Sequence, residues 1–192
     1  MRVIAGRAGG VQLVSPRSGV RPTMDRVKGA IFSSLGEMVV DARVLDLFAG
    51  TGALGIEALS RGADSVLFVE EDRQSIVAIE ANLAKTGLNG RIRQQEVFSF
   101  LKNSGASGDK FEIIFADPPY ERMESGEPFT DKLLQNERIP KLLVSNGVFV
   151  LEKRPQEKVS GLRLWELIRQ KRYGATEVLF LSAVRNSQSA TQ

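Results

Sequence analysis

Short apolar runs alternate along this chain with longer stretches in which apolar residues return every third or fourth position. The runs at 43–47, 65–69, 91–94, 113–116 and 148–151 predict strands. The stretches at 53–61, 73–85, 97–102 and 129–143 predict helices, several closed by Gly62, Gly87 or Gly105. Such alternation implies a parallel sheet with helices on both faces. Ahead of it, Val27, Ala30, Ile31, Leu35 and Met38 keep helical spacing behind Thr23, a candidate cap. At the start, Val3–Ile4 and Val11–Val14 flank three glycines and predict a short β-hairpin. Near the end, the runs 167–173 and 177–182 around Gly174 predict a closing hairpin. The expected organisation is an N-terminal hairpin extension over 1–22, one α/β domain over 23–185 and a polar, disordered tail over 186–192.

Composition narrows the chemistry. At 192 residues and 42% hydrophobic content the chain can bury one sizeable core. It holds no run of about 18 apolar residues and no secretory-type leader, so a cytoplasmic protein without a membrane span is expected. Cysteine and histidine are both absent. That removes thiol nucleophiles, the commonest general base and the commonest metal ligands, and no metal site is expected. The net charge of +3 hides two local excesses. Residues 1–28 carry Arg2, Arg7, Arg17, Arg21, Arg26 and Lys28 against Asp25 alone. Residues 153–173 carry Lys153, Arg154, Lys158, Arg163, Arg169, Lys171 and Arg172 against Glu157 and Glu166. Either stretch suits a phosphate backbone or an ordinary solvated surface.

The first strand of the domain runs into Asp46-Leu47-Phe48-Ala49-Gly50-Thr51-Gly52-Ala53-Leu54-Gly55, which contains G-x-G-x-x-G. By pattern alone this also reads as a dinucleotide-binding loop. Asp46 separates the two readings, because its carboxylate would repel a pyrophosphate and attract the sulfonium and ammonium of S-adenosylmethionine. Glu70, at the end of the second strand, stands where an acid accepts hydrogen bonds from ribose hydroxyls, which both cofactors possess. Glu96, past the third strand, stands where a side chain can reach an adenine amine.

After the fourth strand comes Asp117-Pro118-Pro119-Tyr120. An exocyclic base amine is a poor nucleophile, since its lone pair is delocalised into the ring. It must pyramidalise to attack a methyl group, which needs acceptors aimed at its two N–H groups. Asp117 offers a carboxylate oxygen and Pro118 a carbonyl, while Pro119 holds Pro118 extended. Tyr120 offers a face on which an extruded base can stack. The absence of cysteine argues against methylation at carbon 5 of pyrimidines, which proceeds through a thiolate adduct.

These two motifs resemble the class I methyltransferases that act on planar amines. The resemblance extends to Arg21-Pro22-Thr23, Asp25-Arg26-Val27, the run from Leu45 to Ala63 and the opening Val3-Ile4-Ala5-Gly6-Arg7. Together they are similar to the RsmD family of bacterial 16S ribosomal RNA guanine-N2 methyltransferases, over about residues 2–185. The resemblance implies a Rossmann-like class I methyltransferase fold: a seven-stranded mixed sheet with an antiparallel last strand, behind a small N-terminal β-hairpin. It implies transfer from S-adenosylmethionine, leaving S-adenosylhomocysteine, to one guanine of 16S ribosomal RNA in the small ribosomal subunit or an assembly intermediate. A monomer is expected, since it must dock on a large particle. The loop Asp46, Phe48, Ala49, Gly50, Thr51 and Gly52 would hold the cofactor, with Asp46, Gly50 and Gly52 along its methionine part. Glu70 would take the ribose, and Glu96 with Val97 the adenine. Arg7, Arg21, Thr23 and Arg26 would belong to the cofactor lid or RNA surface, with Pro119 beside the substrate. Two positions depart from the family pattern: Gly29 replaces an acid, and Glu96-Val97 a more usual Asp-Ala pair. Gly29, a poor helix former, suggests close packing or a mobile segment. Three alternatives stay open: the same chemistry on adenine N6, cytosine N4 or a protein amide; a noncatalytic assembly protein that binds ribosomal RNA; and a nucleotide-dependent dehydrogenase.

Overall fold

The computed structural model describes residues 1–15, 22–104, 108–119, 128–159 and 161–185, with the side chains of 22–24 left aside. The expected tail at 186–192 lies outside these residues. The elements run α1 (Pro22–Leu35), β1 (Arg43–Leu47), α2 (Ala53–Ser60), β2 (Ser65–Glu70), α3 (Arg73–Thr86), β3 (Arg91–Gln94), α4 (Val97–Asn103), β4 (Phe111–Ala116), α5 (Phe129–Leu134), α6 (Arg138–Leu142), β5 (Leu143–Lys153), β6 (Trp165–Tyr173) and β7 (Thr176–Ala183). One seven-stranded sheet has the order β3-β2-β1-β4-β5-β7-β6, with β7 antiparallel to both neighbours and the β1–β5 pairs parallel. This is the mixed sheet that the resemblance implies.

Strand alternation sends one set of side chains to each face. Val44, Phe68, Phe115, Val150, Val178 and Phe180 pack under α1, α2 and α3. Leu45, Val69, Ile114, Phe149 and Leu181 pack under α4, α5 and α6. Each large side chain so buried contributes roughly 1.5–3 kcal/mol, and together they set strand register, since a one-residue slip would turn every side chain to the opposite face.

Several local expectations are corrected. The stretch 129–143 is two helices, not one. Between them the Asn136 side chain accepts the Arg138 N–H at 2.9 Å, at the first residue of the second helix, while Leu143 already belongs to β5. α1 begins at Pro22, the first-turn position that proline favours, so Thr23 lies inside the helix; its cap role falls outside the described side chains. The helix stops at Leu35, and Gly36, at φ 56°, turns the chain into a short 3-10 segment. A Cβ on Gly29 would meet no atom within 4 Å, so its packing is not close. Gly29→Ala is therefore expected to stabilise the protein by about 0.5–1 kcal/mol, seen as a raised urea midpoint with unchanged slope.

The N-terminal segment forms a narrow hairpin with a single bridge, Arg2 to Gln12. Most of what holds it comes from α2 and α3. The buried Glu57 carboxylate accepts the N–H groups of Ile4 (2.7 Å) and Ala5 (3.1 Å). Arg7 N–H donates to the Ser60 carbonyl at 2.7 Å and Ala8 N–H to the Ser60 hydroxyl at 2.9 Å. Gly6 is obligatory at this crossing: its φ is +83°, and a Cβ would fall 1.8 Å from the Ser60 carbonyl oxygen. Val3, Ala8 and Leu13 are buried in the core of the α1–α3 face. Asn82 of α3, also buried, accepts Val14 N–H at 2.6 Å and donates to the carbonyls of Val14 and Thr51 at 3.0 Å.

Candidate active site

The sheet order reverses between β1 and β4. Chains leaving their carboxyl ends diverge there and open a crevice, where ligands of open α/β sheets bind. Leu47 and Ala116 are register partners, so the glycine loop after β1 and Asp117 after β4 begin side by side, about 4.8 Å apart by strand spacing. Asp46, Glu70, Asp117 and Glu152 share the parity of Phe68, Phe115 and Val150, which places four acids on the α1–α3 face of the carboxyl edge.

Asp46 is buried, and one of its oxygens accepts the Gly55 N–H at 2.9 Å. The acid thereby fixes the start of α2, whose own N-cap, Gly52, has no side chain to do so. The third glycine of the motif is required by packing, since a Cβ on Gly55 would meet the Phe68 ring at 2.3 Å. Burial pushes the Asp46 carboxyl up to about 8 against the pull of the Gly55 N–H, and the charges of Asp117 and Glu70 add to the rise. Asp117 opens to solvent, yet the crowded walls around it push its carboxyl up to about 6. Pro118 is buried and Pro119 exposed. Glu152, one residue past the Ala116–Leu151 pair, is half-buried. Burial and the neighbouring Asp117 and Asp46 hold it well above the usual carboxylate range.

Glu70 carries a load that its spacing does not reveal. One oxygen accepts the N–H groups of Glu71 and Asp72, both at 2.9 Å, and the other accepts Gly50 N–H at 2.8 Å. It ties the glycine loop to β2, and one lone-pair position remains on the second oxygen. Glu96 is the N-cap of α4, accepting Phe98 N–H at 2.8 Å and Ser99 N–H at 2.7 Å. Burial works against its charge, but these two donors hold it below the usual range. Val97 is buried in the core of the opposite face. Phe48 adopts φ 56°, a left-handed conformation rare outside glycine, at the mouth of the loop. Its ring meets Phe98 and Phe129 edge-on at 6.2 and 5.8 Å, and those two rings stack at 6.1 Å. The Phe98–Phe129 wall and Glu152 were not singled out by sequence. Phe98 and Phe129 lie within helical stretches where aromatic residues read as core, and the final Glu of an apolar strand reads as its solvated end.

The carboxyl edge thus gathers Asp46, Phe48, Ala49, Gly50, Thr51, Gly52, Glu70, Glu96, Val97, Asp117, Pro118 and Pro119. Arg7 is not among them. Its guanidinium donates to the Leu59 carbonyl at 3.2 Å, at the far end of α2, roughly 10 Å of helix from Gly52. Arg26 is exposed on α1, while Arg21 and Tyr120 lie outside the described residues. The two basic stretches are also thinner than they read. Lys28 is buried, donating to the Arg2 carbonyl at 2.6 Å and lying 3.4 Å from Glu57, and burial lowers its ammonium below the usual range. Lys153 is buried against Glu177 at 2.6 Å. Among the described residues no group of acids could hold a metal ion, and no helix is long and apolar enough to cross a membrane.

Residues 1–182 match the family model described as Conserved hypothetical protein 95. Over 125 residues the chain is 43% identical to ribosomal RNA small subunit methyltransferase D of Escherichia coli K12. That stretch covers 64% of this chain and 61% of the relative, so it spans less than two thirds of the relative's length. Against the protein of the same name from Haemophilus influenzae Rd, identity is 32% over 178 residues, covering 91% of this chain and 89% of that one. Among solved structures, a hypothetical protein of Thermus thermophilus superposes with a TM-score of 0.80 at 29% identity, covering 95% of this chain and 99% of that one. The 16S rRNA N2 G1207 methyltransferase RsmC of the same organism, solved with AdoMet and guanosine, shares the fold at a TM-score of 0.68 and 23% identity, over 88% of this chain and 45% of that one. With its sheet order, its glycine loop and a family match over nearly its whole length, the chain belongs to the Conserved hypothetical protein 95 family and is a relative of the ribosomal RNA small subunit methyltransferases D.

Proposed function

We propose that this protein transfers a methyl group from S-adenosylmethionine to the exocyclic N2 amine of a guanine in 16S ribosomal RNA. The observation that carries this reading is the pairing of Leu47 with Ala116, which sets Asp117-Pro118-Pro119 directly beside the glycine loop at the switch point of the sheet. Support for the RNA substrate comes from the names of the relatives in E. coli and H. influenzae. A ribosomal substrate places the enzyme in the cytoplasm.

The crevice suits the cofactor chemically. A Cβ at Gly50 would meet only the Phe48 carbonyl, at 3.9 Å, so the protein leaves the space beyond the loop open. The acids Asp46 and Asp117, held up near 8 and 6, favour a cation and no phosphate. S-adenosylmethionine supplies a methyl group already activated on a sulfonium. Asp46 and the backbone of residues 48–52 would hold its methionine part, and the remaining acceptor position of Glu70 its ribose. Phe48, Phe98 and Phe129 would form an apolar wall on the adenine side. Asp117 and the Pro118 carbonyl accept the two N–H groups of the amine, turn its lone pair out of the ring plane and fix its direction; Asp117 is then placed to take the proton that becomes acidic as the N–C bond forms.

A carboxyl raised on folding lowers stability as pH climbs from its unfolded value near 4 towards its folded value, here about 8 for Asp46. A bound cation relieves that cost. Binding of S-adenosylmethionine is therefore expected to release protons between pH 6 and 8 and to tighten as pH rises through that window. S-adenosylhomocysteine has the same amino-acid end but no sulfonium, and should show much less of both. Calorimetry in buffers of different ionisation enthalpy reads the difference; equal proton release by the two ligands would contradict the placement of the sulfonium beside Asp46.

The substrate is tested by labelled methyl transfer to undermethylated small ribosomal subunits, naked ribosomal RNA, duplex DNA and a protein extract. Label recovered as N2-methylguanine in 16S ribosomal RNA is the expected result. Label confined to DNA or protein would keep the chemistry and overturn the substrate.

A further inference from the structure

The second basic stretch is left unused by this account, and the fold gives it a definite place. β6 is an edge strand, and its residues Glu166–Arg172 are all exposed. Pairing with β7 decides which way they point. Arg169 stands opposite Phe180 and Lys171 opposite Val178, both core residues of the α1–α3 face, so Arg169 and Lys171 project to that face. It is the face of Asp46 and Asp117.

The register also fixes their position along the sheet. Lys171 pairs with Val178, and Val178 pairs with Glu152. Asp117 follows Ala116, the partner of Leu151, so it lies on the other side of Glu152 in the same cross-strand row. Lys171 is thus two strand spacings from Glu152 and three from Asp117, roughly 14 Å from the acid that faces the amine. Arg169 lies two residues back along β6, roughly 7 Å further from the carboxyl edge. Among the described residues neither cation is paired with a carboxylate. α1 packs on the same face and adjoins β6, and it carries the exposed Arg26.

We infer that Arg169 and Lys171 of β6 form a phosphate-binding rail for the RNA strand that flanks the target guanine, leading it across the sheet to Asp117. The inference rests on the proposed ribosomal RNA substrate. Charged residues on an edge strand, lysine above all, also deter pairing with other chains, but that task does not require them to share the face of a reacting group. A rail does: its cations must share that face and lie within a few nucleotides of the reacting group.

The test compares an Arg169→Ala/Lys171→Ala variant with an Arg91→Ala/Arg93→Ala variant, which removes two exposed cations from β3 at the opposite edge of the sheet. Binding to undermethylated small ribosomal subunits is measured against salt concentration, together with steady-state methyl transfer and calorimetric affinity for S-adenosylmethionine. The β6 variant is expected to bind subunits about tenfold more weakly. Its slope of log affinity on log salt should fall by about 1.4 to 1.8, the loss for two phosphate contacts. KM for subunits should rise while kcat and cofactor affinity stay unchanged. The β3 variant should behave as wild type. Equal slopes for the two variants would overturn the rail, as would a fall in kcat without a rise in KM. If wild-type protein makes no N2-methylguanine but the slopes still differ, the proposed reaction fails and the RNA surface stands. If it methylates and the slopes agree, the rail alone fails.

Discussion

Replacing Glu57 by alanine is expected to destabilise the protein by about 3 to 5 kcal/mol, lowering the melting temperature by on the order of 10 °C. Glu57 is fully buried and answers four donors: Ile4 N–H, Ala5 N–H, the Lys28 ammonium at 3.4 Å and the Arg61 guanidinium at 2.7 Å. Alanine would leave the equally buried Lys28 without its counter-charge and two backbone donors without an acceptor. Glu57→Gln keeps an acceptor for the N–H groups but not the charge, and should fall between. Combining Glu57→Gln with Lys28→Met removes the stranded charge and should recover part of the loss, the mark of an ion pair as opposed to a cavity. Urea unfolding of the four proteins decides; a loss below about 1 kcal/mol for Glu57→Ala would show that solvent reaches the pair.

The second large effect is on rate. Asp117→Ala should slow single-turnover methyl transfer tenfold to a hundredfold, because a hydrogen bond to a charged acceptor contributes about 1.5 to 3 kcal/mol and here acts on the amine as it becomes nucleophilic. Stability should hold or rise, since the walls that raise this carboxyl make its charge costly above about pH 6. Cofactor affinity should change little, because the loss of one attracting acid is offset by easier ionisation of Asp46. A wild-type rate in the variant would remove Asp117 from the chemistry.

Most of the architecture was legible because it depends on pattern. The strand cores 43–47, 91–94 and 148–151 and the helices α2, α3 and α4 follow from apolar spacing, and Asp46 and Asp117 stand out because an acid at the end of a buried strand is costly without a purpose. What spacing could not convey is which partner each polar group takes. Glu70 and Glu96 read from spacing as contacts to ribose and adenine, yet both are engaged by backbone N–H groups of the loop and of α4. Lys28 and Lys153 counted towards basic surfaces and are buried in ion pairs. Glu57 lies inside the apolar run Ala53-Leu54-Gly55-Ile56-Glu57-Ala58-Leu59, and an acid there was the available signal for a buried partner. The break at Asn136 coincides with one side chain accepting the N–H of Arg138, beyond the reach of periodicity.

The packing of residues 1–15 has a consequence for how the protein folds. Their hydrogen-bond partners Glu57, Ser60 and Asn82 lie 52 to 68 residues further along the chain, so these contacts close some of the longest loops in the molecule. Loop closure of that span gains nothing until β1, α2 and α3 have assembled and present the three side chains together. The segment should therefore dock late, with low φ-values at Val3 and Leu13 and high ones in β1 and β2. Because Asn82 joins Val14 to the carbonyl of Thr51, the glycine loop would be the last part of the crevice to set, and the protein would reach its native sheet before it could hold a ligand.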